Sequence, residues 1–179
     1  MADARSYLDT SFLSALIRRN IHDPLELQAI IRIHSFWEQG FIQCYVSEAV
    51  KKELEKIPAK YKTQNDKLAV LYMLLEKAEM FPTHQMFTSM FGGAPFGTVP
   101  FGGATIANDP IFQQLSAIFD REDAEHIFLC IKNGIPYFLT YDVRTILNRA
   151  RQNKALLKGF GIEILSPREF EDTVLSGQK

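Results

Sequence analysis

The sequence predicts an α/β domain, a three-layer α/β/α sandwich around a central parallel sheet of about four to five strands. Three observations predict it. Short apolar runs of strand character alternate with longer stretches of helical periodicity, and strands separated by helices pair in parallel through right-handed crossovers. Two of the apolar runs end on an acid, Asp9 after Ser6-Tyr7-Leu8 and Asp142 after the run closing on Tyr141, where a parallel sheet gathers its ligands. The chain has 179 residues, 46% of them apolar and 23% charged, which fits one soluble globular domain over 1–179.

The elements follow in order. SYLD (6–9) is a short buried strand, and SFLSALIRRN (11–20) a helix capped at Thr10 or Ser11. DPLELQAIIRIHSFWEQG (23–40) has a cap at Asp23, Pro24 in the first turn and a terminal Gly40. FIQCYVS (41–47) is a strand, and SEAVKKELEKI (47–57) an amphipathic helix capped by Ser47 and stopped at Pro58. DKLAVLYMLLEKAEMF (66–81) has a broad apolar helical face. DPIFQQLSAIF (109–119) and REDAEHIFLCIKNG (121–134) are helical, the second closing at Gly134. IPYFLTYD (135–142) is a strand running into the helix VRTILNRARQNKALLKG (143–159). In GIEILSPREFED (161–172) a last strand gives way to a short helix at Ser166-Pro167.

Residues 86–109, MFTSMFGGAPFGTVPFGGATIAND, stand apart: FGGA occurs twice, and no charge precedes Asp109. Gly and Pro at this density continue neither a helix nor a central strand. A long loop is the plain reading, and a flap of phenylalanines that stacks on bases or docks on a partner is the functional one.

Lys plus Arg (20) nearly balances Asp plus Glu (21), so any nucleic acid must be held by a local patch, not by the overall field. Cys44 and Cys130 lie inside apolar runs without CxxC spacing. Buried thiols in a reducing compartment are expected, rather than disulfides or a zinc site. The N-terminus has no signal-peptide core and no apolar stretch is long enough to span a bilayer, so a cytoplasmic protein is expected.

Taken singly, each acid has a bland explanation. Asp9 and Asp142 are good helix caps, Asp123 favours a helix N-terminus by charge, and Glu53 belongs to a solvated KKELEK run in which Glu48 and Glu55 compete with it. Convergence is the sharper reading. Two strand-end acids side by side repel unless a cation neutralises them. Oxygen-only ligands with no His/Cys cluster suit Mg²⁺ or Mn²⁺ rather than Zn²⁺.

YLDTSFL, VSEAVKKELEKI, DAEHIFLCIKNGIPYFLTYD and GIEILSPREF resemble, in order, the four signature blocks of the PIN-domain family. The third block carries most of the likeness: an acid opening a helix, a small residue at Cys130, then Gly134, a strand and Thr140-x-Asp142. The likeness covers the chain except a longer stretch at about 58–115, expected to be a helical and Phe/Gly/Pro-rich insertion. The resemblance implies a Mg²⁺- or Mn²⁺-dependent endoribonuclease acting on single-stranded RNA. Asp9, Glu53, Asp123 and Asp142 would be its catalytic metal ligands, and Thr10, Ser11 and Thr140 hydroxyl supports. Family members include toxins of toxin–antitoxin pairs. One chain settles neither an antitoxin nor a homodimer.

The substrate needs cations. Residues 144–158 hold Arg144, Arg149, Arg151, Lys154 and Lys158 without an acid, and Lys51, Lys52, Lys56, Lys60 and Lys62 surround Glu53. Such runs are usually solvated helix faces, but here both flank expected metal ligands, and Arg144 and Arg149 are the preferred phosphate contacts. His22, His34, His84 and His126 show no ligand spacing, and His126, one turn beyond Asp123, is expected to be structural. A haloacid-dehalogenase-type phosphatase needs a second acid where Ser11 stands, and a receiver domain needs paired acids at the first strand, where only Asp9 stands. The remaining rival is a non-catalytic protein of the PIN fold that binds partners through the Phe/Gly-rich loop.

Overall fold

The computed structural model describes residues 4–18, 23–47, 50, 79–81 and 106–176. Among them is an all-parallel sheet in the order β3-β2-β1-β4-β5. Its strands are β1 (Arg5–Leu8), β2 (Gln43–Ser47), β3 (Glu79–Phe81), β4 (Tyr137–Leu139) and β5 (Glu163–Leu165). The helices are α1 (Thr10–Arg18), α2 (Pro24–Glu38), α3 (Pro110–Ser116), α4 (Arg121–Lys132), α5 (Asn148–Gln152), α6 (Lys154–Gly159) and α7 (Pro167–Phe170). The α/β class and the parallel sheet agree with the sequence reading.

The central strands are short and apolar because both their faces are covered. Tyr7, Leu8, Val46, Phe138 and Leu139 are fully buried, as expected where helices lie on both sides of a parallel sheet. By the right-handed rule for parallel strands, α1 and α2, between β1 and β2, fall on one face. The return to β4 and β5 puts α3 to α6 on the other, an arrangement compatible with three layers. Across the first face, Glu26 of α2 accepts from Ser166 Oγ (2.9 Å) and Arg168 N–H (3.1 Å), fixing the start of α7.

Several caps are those the sequence announces. Asp23 and Asp109 each accept a first-turn N–H at 2.9 Å ahead of a proline, and Ser166 with Glu169 forms a reciprocal capping box. Ser47 Oγ takes Val50 N–H at 3.4 Å, the bond of a capping serine. Gly134 (φ 64°) closes α4 in the left-handed region, where a side chain would be strained.

Other expectations need correction. The stretch 66–81, whose apolar periodicity predicts one helix, ends in a strand: Glu79–Phe81 pairs with Tyr45–Ser47. Part of the expected insertion at 58–115 therefore belongs to the sheet, and its end forms a 3₁₀ turn (Ile106–Asn108) and α3. The single helix expected over 143–159 is a wide π-type turn (Val143–Leu147), α5 and α6. It breaks at Asn153, whose side chain bonds Arg149 C=O at 2.9 Å and competes with the helical ladder. The first helix begins at Thr10, so its cap is Asp9 and not Thr10 or Ser11. The Phe/Gly/Pro-rich residues 86–105 and the expected helix at 51–57 lie outside the described residues. Both cysteines are free and buried, and burial pushes their thiols up. Among the described residues no helix is long and apolar enough to cross a membrane.

Candidate active site at the carboxyl ends of β1 and β4

The sheet order reverses between β1 and β4. The chain leaves β1 toward β2 and β3 on one side, and later reaches β4 and β5 on the other. Helices leaving such a junction go to opposite faces, and a crevice is left beyond the strand ends. Asp9 is the first residue past β1 and Thr140 the first past β4. The pairing Leu8↔Leu139 and the bond from Asp9 N–H to Leu139 C=O (3.0 Å) keep the two ends level.

Asp9 is buried and heavily supported through one oxygen. Its Oδ2 accepts from Ser11 Oγ at 2.5 Å, Thr140 Oγ1 at 2.8 Å and Ser11 N–H at 3.3 Å. Ser11 Oγ also accepts Tyr141 N–H (2.9 Å), and Thr140 Oγ1 accepts Asp142 N–H (3.1 Å). Each hydroxyl has one proton to give. With both protons on Asp9, the 2.9 Å approach of Ser11 Oγ to Thr140 Oγ1 is a contact of lone pairs, held together by the carboxylate between them. The other oxygen of Asp9, Oδ1, has no donor among the described residues. No buried side-chain oxygen there lacks a partner, so Oδ1 reaches solvent. Ser11 and Thr140 both bond the Asp9 carboxylate, and Thr10, half-buried, is the first residue of α1.

Asp142 is both cap and crevice acid. Its Oδ1 accepts Thr145 N–H and its Oδ2 accepts Thr145 Oγ1, each at 2.8 Å. Burial pushes this carboxyl up, but the Thr145 bonds and the nearby Arg144 outweigh it and hold Asp142 below its ordinary value. Each oxygen keeps a second lone pair for another partner. Asp123 behaves oppositely. In the first turn of α4, it is pushed up to about 6 by burial and by the charges of Asp9, Asp120 and Asp142, with His126 opposing. The charges of Asp9 and Asp142 thus reach Asp123, whose own rise is owed first to burial. Glu53 lies outside the described residues, as do its flanking lysines.

Beneath these acids lies a hydrogen-bond network that no local pattern announces. Tyr7, fully buried two residues before Asp9, holds its hydroxyl 2.6 Å from His126 Nδ1 and 2.8 Å from Ser47 Oγ. Its ring stacks on Phe138 of β4 at 5.3 Å. The network joins β1, the end of β2, and α4 one turn beyond Asp123, so it fixes the elements that carry the acids. The only hint available is a polar residue at each of three buried positions. Replacing Tyr7 with phenylalanine is expected to lower stability by about 1–3 kcal/mol by stranding the buried groups it bonds. A urea midpoint equal to that of the wild type would show that the hydroxyl adds nothing.

Of the two expected phosphate contacts, Arg149 is engaged: its Nη1 lies 2.9 Å from Asp120 Oδ1. Arg144 is exposed next to Asp142. Arg151 and Lys158 pair with Glu169 (3.0 Å) and Glu163 (3.5 Å), as solvated helix faces do. His34 sits on α2 beside Glu38 at 3.8 Å, away from the acids.

The donor set, carboxylates and hydroxyls without sulfur or imidazole, fits a hard cation such as Mg²⁺ or Mn²⁺. Burial, with the charges of Asp9, Asp120 and Asp142 added, makes ionising Asp123 costly. Among the described residues, however, no three His, Cys, Asp or Glu side chains form a group that holds a metal ion. They supply the charge without a closed ligand shell. No family model, no curated protein and no solved structure matches this chain.

Proposed function

We propose that this chain is a Mg²⁺- or Mn²⁺-dependent phosphodiesterase that cleaves single-stranded RNA, a ribonuclease of PIN-like fold. The observation that carries the reading is the raised Asp123, which feels the charges of Asp9 and Asp142 from the junction of β1 and β4 in addition to its burial. A carboxylate whose proton affinity is raised by burial and by neighbouring acids is costly to a fold when ionised, and a divalent cation relieves that cost.

Asp9, Asp123 and Asp142 would hold the ion. When bound, it supplies a water of lowered pKa and neutralises charge on the phosphoryl oxygens. The protein's part is positioning. Ser11 and Thr140 fix Asp9 through Oδ2 and leave Oδ1 to solvent, while Thr145 fixes Asp142 from within its own turn. Arg144, exposed beside Asp142, would meet a backbone phosphate.

The test is cleavage of a labelled single-stranded RNA in Mn²⁺, Mg²⁺ or EDTA. Wild-type protein is expected to cleave only with a metal. Asp9→Asn, Asp123→Asn and Asp142→Asn should each lose about a hundredfold or more in turnover with unchanged circular dichroism. Cleavage that persists in EDTA, or in all three variants, contradicts the proposal. A second reading, a non-catalytic binding protein of the same fold, is favoured by the engagement of both Asp142 oxygens with Thr145. It expects neither cleavage nor saturable Mn²⁺ binding.

A further inference from the structure

We infer that Asp120 stands in for a substrate phosphate: it holds Arg149 until a phosphate of single-stranded RNA displaces it. The inference rests on the proposed function and deepens it.

The starting observation is a cap that does not cap. Asp120 occupies the residue before α4 with the extended backbone of an N-cap (φ −64°, ψ 156°), yet its side chain makes no capping bond. Asp23 and Asp109 precede helices in the same way, and both cap them at 2.9 Å. Aspartate is among the best capping residues, so the exception needs a reason. The Asp120 carboxylate is turned instead to the Arg149 guanidinium, 2.9 Å away on α5.

Two properties make that pairing easy to exchange. The Asp120 side chain is 68% exposed and that of Arg149 37%, so the pair lies in water, where screening leaves an ion pair little net stability. On release, the Asp120 carboxylate also has a local alternative, the first-turn N–H groups of its own helix. A phosphate would give Arg149 a second oxyanion of matching fork geometry, while Asp120 turns back to its helix. The exchange therefore costs the fold little. The pair joins the two elements next to the acids: Asp120 is three residues before Asp123, and α5 follows the turn capped by Asp142. Until then, Asp120 holds Arg149 and repels anions that bind too weakly to displace it.

The test is steady-state cleavage of a fluorescent single-stranded RNA in Mn²⁺ by wild type, Asp120→Asn, Arg149→Ala and the double variant. Asparagine keeps a capping oxygen but carries no charge for Arg149, so folding is preserved. Glu122→Gln, an exposed neighbour, measures the general effect of removing one negative charge. Asp120→Asn is expected to lower KM about three- to fivefold, the range of an exposed ion pair, with the change in KM and not in kcat. Glu122→Gln should change KM less than about twofold. In the Arg149→Ala background the Asp120 substitution should add nothing beyond the Glu122→Gln effect. If wild type cleaves and Asp120→Asn matches Glu122→Gln, or its gain survives without Arg149, the inference is overturned and the nuclease reading stands. If wild type cleaves no RNA, both fall.

Discussion

Asp123→Asn is expected to leave the protein inactive and, without metal, more stable than wild type at pH 7 to 8. Asp123 is pushed from the ordinary 3.8 to about 6 by burial and by the charges of Asp9, Asp120 and Asp142. Between those values the folded chain holds a proton that the unfolded chain has lost. Unfolding free energy therefore falls as pH rises through about 4 to 6, and the cost persists above that window. Taken in full the difference is worth roughly 3 kcal/mol; solvent around a half-buried group reduces it to about 1–2 kcal/mol. For a domain of this size that raises Tm by about 3–6 °C. At pH 4 the two proteins should melt together. Calorimetry in EDTA across pH 4 to 8 checks this, and an equal or lower Tm for the variant at pH 7.5 would refute the electrostatic description of the crevice.

Thr140→Val should have the largest effect on stability. Valine nearly matches threonine in shape but lacks the hydroxyl. At this fully buried position it deprives Asp9 Oδ2 of a 2.8 Å donor and Asp142 N–H of its 3.1 Å acceptor. Losing a bond to a carboxylate while stranding a backbone N–H costs about 2–4 kcal/mol, a large share of the roughly 5–15 kcal/mol that holds a typical domain together. Turnover should fall more than about tenfold, because Asp9 and Asp142 are positioned through this one hydroxyl. Thr140→Ser should recover most of both losses. A urea midpoint for Thr140→Val within error of wild type would mean that the Asp9–Ser11–Thr140 triangle is incidental.

Much of this site is legible in the sequence because its acids sit at strand ends. In a parallel sheet, topology alone brings such positions together, so Asp9 and Asp142 stand out without any knowledge of side-chain contacts. Asp123 is legible as an acid opening a helix that leads into the next strand. What escaped depends on three-dimensional competition. The strand Glu79–Phe81 has three residues and follows a stretch of strong helical periodicity, so only its edge pairing with β2 reveals it. The break at Asn153 arises from one side chain bonding a carbonyl four residues back. The engagement of Arg149 by Asp120 spans 29 residues, and Tyr7 meets His126 across 119. No local pattern marks either contact. Asp142, for which cap and ligand were opposed readings, is a cap that keeps lone pairs to spare, so the two were never exclusive.

The most direct test of the account is a crystal structure of the protein grown with Mn²⁺, with the ion located by anomalous scattering. The account expects a peak in the crevice beyond β1 and β4, about 2.1–2.2 Å from Asp9 Oδ1, with Asp123 or Asp142 bound to it directly or through water. Saturating Mn²⁺ that leaves this crevice without a peak, or binds away from Asp9, would contradict the account: Asp9 would be a helix cap supported by two hydroxyls, and the grouping of acids would have no metal to serve.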